Sequence, residues 1–134
     1  MDKEKLMASA DEARKLSYSP YSNFKVGAAI LMKDGKIMQG ANIENSAYGL
    51  CMCGERNALY HALMEGYKTE DMVALALCAQ GDEPPYPCGA CRQVLSELFP
   101  IDAPVIVFNE SRSKVVETTV RELLPYAFGK DHLI

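Results

Sequence analysis

The chain has 134 residues, of which 49% are hydrophobic and 24% charged, a composition typical of one globular domain. Its net charge of −4 and its pI of about 5.2 argue against a nucleic-acid-binding surface, which needs clustered lysine and arginine. No apolar run is long enough to span a membrane, and the charged N-terminal stretch MDKEKLMASADEARK predicts no secretory signal. We therefore expect one domain over residues 1–134 that acts in the cytoplasm, without a nucleic-acid or membrane partner.

The first part of the chain predicts a helix followed by a strand hairpin. Residues 2–17 carry apolar side chains at helical spacing, and residues 24–32, FKVGAAILM, are typical of a buried strand. Asp34-Gly35 predicts a two-residue turn with positive φ at both positions, so that residues 36–41 return antiparallel.

The rest of the chain alternates helices and strands. The predicted elements are a helix over 53–67, a strand over 72–79, a helix over 89–98, strands over 104–108 and 114–117, and a helix over 119–124. Thr119 and Glu122 have the spacing of a capping box at the start of the last helix. The alternation predicts an α/β fold with helices on both faces of a five-stranded sheet, and the hairpin makes that sheet mixed.

The cysteines indicate a metal site. Five cysteines and no export signal argue against a disulfide framework and favour a reducing cytoplasm. Cys53 and the pair Cys88-x-x-Cys91 lie where predicted helices begin, and a helix N-terminus favours thiolate over thiol. Three thiolates can converge on one zinc ion, with water in the fourth position because neither histidine lies near these stretches. We expect one zinc ion per chain.

Charged residues beside these cysteines complete the predicted site. Glu55, two residues after Cys53, would lie close to the metal without binding it. Cys-x-Glu together with Pro-Cys-x-x-Cys matches a known signature of zinc deaminases, in which zinc acidifies a water molecule and the glutamate moves protons. Since zinc with three thiolates carries a formal negative charge, we expect Arg56 and Arg92 to donate N–H groups to the sulfurs.

Simpler interpretations of the same residues stay open at this point. A structural zinc site would have four protein ligands, and Cys51 is the nearby candidate for the fourth. Cys88 and Cys91 could instead form a redox pair, and Glu55 could serve only to complement the helix dipole. The arginines could form surface ion pairs. Cys78, in an apolar strand, is expected to be an inert buried thiol.

With these motifs, the chain resembles the small, homotetrameric, zinc-dependent cytidine deaminases of the cytidine/deoxycytidylate deaminase superfamily. Four segments resemble family segments in the same order: PYSNFKVGAA (20–29), GANIENSAYGLCMCGER (40–56), PCGACRQV (87–94) and ELLPYAF (122–128). The resemblance implies a three-layer α/β/α fold and the conversion of cytidine and deoxycytidine to uridine and deoxyuridine with release of ammonia, in pyrimidine salvage. It also implies zinc as cofactor, Glu55 as proton shuttle, and a homotetramer with shared active sites.

The resemblance further implies nucleoside contacts. Asn42 and Glu44 would hydrogen-bond the ribose 3′-hydroxyl, and Phe24 would pack against the nucleoside. The N–H of Gly54 would hold the pyrimidine O2, although many relatives have alanine there. Phe128 would cover the base from a neighbouring subunit.

The residues of these implied contacts also have simpler structural interpretations. Asn42 and Glu44 also fit turn chemistry in a polar loop, and the two phenylalanines also fit core positions. Tyr48 is expected at a subunit contact beside the site.

Three rival functions remain open. The chain could act on a different aminopyrimidine, such as the antibiotic blasticidin S or free cytosine. It could be a zinc-stabilised binding module without turnover, or a polynucleotide editor. The acidic pI counts against the editor, the Asn42 and Glu44 sugar pair against free cytosine, and Glu55 against the binding module.

Overall fold

A computed structural model describes residues 1–133 and contains the helices and strands in the predicted order. The helices are α1 (Lys3–Ala13), α2 (Gly54–Met64), α3 (Gly89–Leu98) and α4 (Val120–Leu123). The strands are β1 (Val26–Met32), β2 (Ile37–Ala41), β3 (Met72–Ala79), β4 (Val105–Asn109) and β5 (Val115–Thr118). Within residues 1–133, no helix has both the length and the apolar character needed to cross a bilayer.

The five strands form one mixed sheet in the order β2-β1-β3-β4-β5. β3 and β4 pair in parallel, whereas the other neighbours pair antiparallel. Because Val26 lies opposite Ala79 and Gly27 opposite Ala41, the start of β1 meets the ends of β2 and β3 at one end of the sheet. The chain segments that lead into α2 and α3 leave from this end.

The hairpin between β1 and β2 has a longer turn than predicted. The N–H of Met32 donates to the carbonyl of Lys36 at 2.8 Å, and the N–H of Gly35 donates to the carbonyl of Met32 at 2.9 Å. Gly35 has a φ of 91°, but Asp34 is not among the residues with positive φ, so the prediction of positive φ at both positions was wrong. Three residues make the turn, with the glycine in the left-handed position that a three-residue hairpin requires.

Helices cover both faces of the sheet, which confirms the predicted fold class. The core between α1 and the sheet contains Leu6, Met7, Ala10, Ala29, Ala74, Ala76, Cys78, Ile106 and Phe108. The core between the sheet and α2, α3 and α4 contains mainly Ile30, Met32, Ala58, Leu59, Leu75, Leu77, Leu95, Phe99, Val105, Val107 and Val120. Alternate residues of β1 and β3 go to opposite faces, as the two-residue repeat of a strand dictates.

Two strand glycines allow the helices to touch the sheet backbone. A Cβ atom at Gly27 would lie 2.0 Å from the carbonyl oxygen of Ala10 in α1. A Cβ atom at Gly40 would lie 2.2 Å from the backbone nitrogen of Ala58 in α2. Neither glycine has a positive φ, so both are required for close approach and not for an unusual backbone conformation.

Candidate metal centre and substrate cavity

Three cysteine sulfurs meet where α2 and α3 begin. Cys53 and Cys88 are the N-cap residues of the two helices, and Cys91 lies in the first turn of α3. Their sulfur atoms all lie within 4.8 Å of one another, and those of Cys53 and Cys88 are 3.8 Å apart. Two thiolates on a tetrahedral zinc ion, with Zn–S bonds of about 2.3 Å, would be about 3.8 Å apart. The cluster therefore fits zinc.

Cys51 is not part of this cluster. Within residues 1–133, the group of potential ligands contains the three cysteines and no fourth side chain. The sulfur of Cys51 instead accepts a hydrogen bond from the N–H of Asn45 at 3.3 Å. This geometry argues against a closed structural site with Cys51 as its fourth ligand.

The cluster is already biased towards thiolate at Cys53. A hydrogen bond from the Cys91 thiol, followed by the Arg56 guanidinium, lowers the pKa of Cys53 to about 5. The same hydrogen bond, together with burial, raises the pKa of Cys91. The surroundings thus favour thiolate at Cys53 and thiol at Cys91, and a metal bound by both sulfurs requires the Cys91 proton to leave.

Glu55 lies in the first turn of α2 and is only 5% exposed. Burial raises its pKa to about 7, with a smaller contribution from the charge of Cys53. A carboxyl group that gains and loses a proton near neutral pH has the property that general acid–base chemistry requires.

The two arginines make different contacts. Nη2 of Arg56 lies 3.5 Å from the sulfur of Cys53, so the expected donation to sulfur is present there. Arg92 makes bonds other than the expected ones, because its Nε donates to the carbonyl of Pro87 at 2.7 Å and its Nη1 to the carbonyl of Leu123 at 2.8 Å. The sequence showed that Arg92 follows a ligand, but a side chain that turns back along its helix cannot be recognised from spacing.

A cavity of about 330 Å³ opens beside the sulfur cluster. It is lined by Phe24, Val26, Asn42, Glu44, Cys51, Met52, Cys53, Gly54, Glu55, Pro85, Tyr86 and Cys88. Predicted ligands, the predicted proton carrier and four of the five predicted nucleoside contacts therefore share one cavity. Its volume lies within the range of small-molecule sites.

Asn42 and Glu44 hold neighbouring loops through their own hydrogen bonds. Oδ1 of Asn42 accepts from the hydroxyl of Ser17 at 2.6 Å and from the N–H of Val26 at 2.9 Å. Oε1 of Glu44 accepts from the N–H groups of Tyr21 and Ser22, each at 3.1 Å. Oε2 of Glu44 also accepts from the hydroxyl of Ser22, and this bond lowers the pKa of Glu44. Both side chains are thus fixed in the cavity wall as a hydrogen-bonding amide and a carboxylate.

The aromatic residues separate into two groups. Phe24 is 42% exposed at the cavity, where a bound ring could cover it. Phe128 is 56% exposed, stacks on His132 with ring centroids 5.0 Å apart, and lines a different cavity formed by the C-terminal residues. Tyr48 is 72% exposed and packs edge-on against Tyr21. Within one chain, Phe128 therefore does not line the cavity beside the cysteine cluster.

Pro85, Tyr86 and Met52 line the cavity, although the sequence pattern did not predict them as site residues. Pro85 and Tyr86 belong to the loop GDEPPYP, whose proximity to Cys88 was the available signal. Met52 lies between two cysteines, and a small antiparallel bridge with Ile43 sets its position.

The fold and this site are typical of zinc-dependent deaminases. The comparison with protein families leads to the same class. The family model described as "Cytidine and deoxycytidylate deaminase zinc-binding region" matches residues 1–108, and the chain belongs to this family. Over 133 residues it is 52% identical to the cytidine deaminase of Halalkalibacterium halodurans, covering 99% of this chain and 98% of that protein. It is 47% identical over 133 residues to the cytidine deaminase of Sporosarcina psychrophila, covering 99% and 96%.

A solved structure leads to the same conclusion. The crystal structure of cytidine deaminase from Burkholderia pseudomallei matches with a TM-score of 0.91 at 45% identity, covering 96% of this chain and 100% of that chain. The resemblance found in the sequence and the predicted α/β fold class are therefore both confirmed.

Proposed function

We propose that the chain catalyses the hydrolysis of cytidine and deoxycytidine to uridine and deoxyuridine with release of ammonia. The observation that carries this proposal is a cluster of three cysteine sulfurs, two of which, Cys53 and Cys88, line the same cavity as the buried Glu55. The full-length similarity to cytidine deaminases supports the choice of substrate.

Cys53, Cys88 and Cys91 would hold the zinc ion, one per chain. When bound, zinc would supply the Lewis acidity that lowers the pKa of a water molecule towards neutrality. Arg56 offsets the excess negative charge of three thiolates through its bond to the Cys53 sulfur.

Glu55 would carry the protons of the reaction. Its carboxylate takes one proton from the attacking water and delivers it to the ring nitrogen N3, and then moves the second proton to the departing amino group. The water oxygen becomes the carbonyl oxygen at C4, and the amino group leaves as ammonia. Burial and the pKa of about 7 support this role, because the same group must accept and donate within one cycle.

The rest of the cavity would bind the nucleoside. Asn42 and Glu44 would bind the ribose 3′-hydroxyl, since Glu44 offers acceptor oxygens and the Nδ2 of Asn42 uses one N–H on the carbonyl of Phe24 and keeps a second. Phe24 would pack against the nucleoside. The N–H of Gly54 would hold O2 of the base, at a helix N-terminus whose N–H groups have no partner within the helix.

We also propose that the chain acts as a homotetramer in cytoplasmic pyrimidine salvage. Phe128 and Tyr48 are large exposed apolar side chains, and exposed positions of this kind suit a contact between subunits. In such an assembly Phe128 would cover the base in a neighbouring cavity. The five cysteines without disulfide bonds are compatible with a reducing compartment.

An absorbance assay with cytidine, deoxycytidine, cytosine and blasticidin S, together with measured zinc content, tests the proposal. We expect turnover of the two nucleosides at about one zinc ion per chain. Zinc-loaded protein that leaves both nucleosides unchanged would favour a binding module. Preferred turnover of blasticidin S or cytosine would favour the rival aminopyrimidine enzymes.

A further inference from the structure

The Arg92 side chain joins two segments that are far apart in the sequence. Its Nε donates at 2.7 Å to the carbonyl of Pro87, the residue before the predicted zinc ligand Cys88. Its Nη1 donates at 2.8 Å to the carbonyl of Leu123, the last residue of α4. One guanidinium group therefore connects the loop that carries a ligand to the C-terminal part of the chain.

Both carbonyls need an outside donor. Pro87 is buried, and a buried carbonyl group without a hydrogen bond is costly. Leu123 ends a helix of four residues, and the last carbonyls of a helix have no partner within it. The planar guanidinium fork can serve both carbonyls at once, whereas a lysine ammonium is a flexible point charge.

We propose that Arg92 is a positioning residue for the zinc centre, acting through Pro87 and not through sulfur. By fixing the carbonyl directly before Cys88, it holds the start of α3 in the arrangement that keeps the Cys88 sulfur 3.8 Å from that of Cys53. The inference rests on the zinc centre of the proposed function but not on the reaction or its substrate. It makes retention of the metal depend on α4, which provides no ligand.

Neighbouring residues provide matched controls. Gln93 donates at 2.8 Å to the carbonyl of Phe128, so Gln93→Ala releases the C-terminal segment without touching the Pro87 loop. Arg121 is an exposed arginine of α4 that pairs with Asp102, so Arg121→Gln removes the same charge from the same region.

The test measures zinc release from fully zinc-loaded protein to a chromogenic chelator. We expect release about tenfold faster in Arg92→Gln, because residues that support metal ligands typically change metal affinity by about 10–100-fold. Arg92→Lys should lie between Arg92→Gln and the wild type, and both controls should stay within about twofold of the wild type. Release from Arg92→Gln within about twofold of the wild type, or equally fast release from Arg121→Gln, would overturn the proposal.

Two further measurements separate positioning from general stabilisation. Arg92→Gln should lower the melting temperature of the zinc-loaded protein more than that of the zinc-free protein, whereas an equal drop would contradict the proposal. In the loaded variant, kcat for cytidine should fall while KM stays within about twofold of the wild type, and a change confined to KM would also contradict it.

If Arg92→Gln does not fold, the release rate of Arg92→Lys decides, and a wild-type rate there overturns the inference. Because zinc release needs no substrate, a chain that fails to deaminate cytidine would sink the proposed function while leaving this test intact.

Discussion

Cys78 packs under α1 and Cys53 caps α2 on the other face of the sheet, and their surroundings shift the thiol pKa in opposite directions. Under α1, Cys78 lies fully buried among alanines and aliphatic side chains, and burial raises its pKa to about 12. Beside α2 and α3, a hydrogen bond from Cys91 and the Arg56 guanidinium lower the pKa of Cys53 to about 5. At Cys78, burial reinforced by the nearby Asp11 carboxylate suppresses the thiolate, whereas the donors around Cys53 favour it.

The two faces of the sheet also differ in what they contribute to the protein. The α1 face contains closely packed small residues and touches the helix backbone at Gly27. The opposite face positions the helices whose first residues carry the sulfurs and Glu55. Changes on the first face should therefore alter stability, while changes at the helix starts should alter chemistry.

The largest expected effect comes from removing a ligand. Cys91→Ala should lower the zinc content from about one ion per chain to near zero and abolish turnover, because two thiolates do not complete a zinc site. Atomic absorption and the cytidine assay measure both quantities. Cys78→Ala is the matched control and should keep its zinc. A Cys91→Ala protein that holds zinc normally would show that Cys91 is no more a ligand than Cys78, against the contrast drawn between the two faces.

Glu55→Gln should keep the zinc ion but reduce kcat by about 10²–10⁴-fold, since the amide cannot move protons. Zinc analysis alongside steady-state kinetics distinguishes lost chemistry from lost metal. Glu65→Gln, at the exposed end of the same helix, should retain nearly wild-type kinetics. Full activity in Glu55→Gln would show that another group carries the protons.

Gly27→Ala should lower the free energy of unfolding by about 1–3 kcal/mol, because the added methyl group would lie 2.0 Å from the Ala10 carbonyl oxygen and α1 must move. Urea unfolding measures the change. The kcat of the protein that remains folded should stay close to that of the wild type. Gly49→Ala, where an added Cβ atom meets nothing within 4 Å, should leave stability nearly unchanged. A large loss of kcat in folded Gly27→Ala would mean that the α1 face does contribute to the chemistry.

The smallest expected effect is a pH dependence from Cys78. Its pKa in the folded chain is about 12, above the ordinary value of 9.0, so its contribution to stability is complete below pH 9 and is lost as the pH rises towards 12. Between pH 8 and pH 10 the wild type should lose roughly 1 kcal/mol more stability than Cys78→Ala. Paired urea titrations at the two pH values measure the difference. Parallel losses in both proteins would show that Cys78 ionises as readily folded as unfolded.

Much of the fold followed from local patterns in the sequence. The apolar run at 72–79 coincides with β3, and Gly89–Leu98 agrees with the predicted third helix. The cysteine cluster could be predicted for the same reason. Cys53, Cys88 and Cys91 lie at helix starts, and their chemistry depends on that local setting.

What the sequence did not predict depends on where a side chain turns in three dimensions. Arg92 and Arg56 both follow key residues, yet of the two only Arg56 contacts a sulfur, because Arg92 donates to the carbonyls of Pro87 and Leu123. The turn at Asp34 was misjudged because Gly35 alone supplies the left-handed residue. Tyr86 joins the cavity through a loop whose path no periodic pattern encodes.

Gly40 brings the backbone of β2 against α2, the helix that starts directly after Cys53. Not even a methyl group fits between them, so the distance between β2 and the start of α2 is fixed. Laboratory evolution of this scaffold towards bulkier bases should therefore leave Gly40 untouched and vary Pro85 and Tyr86, which line the cavity from a loop outside that helix.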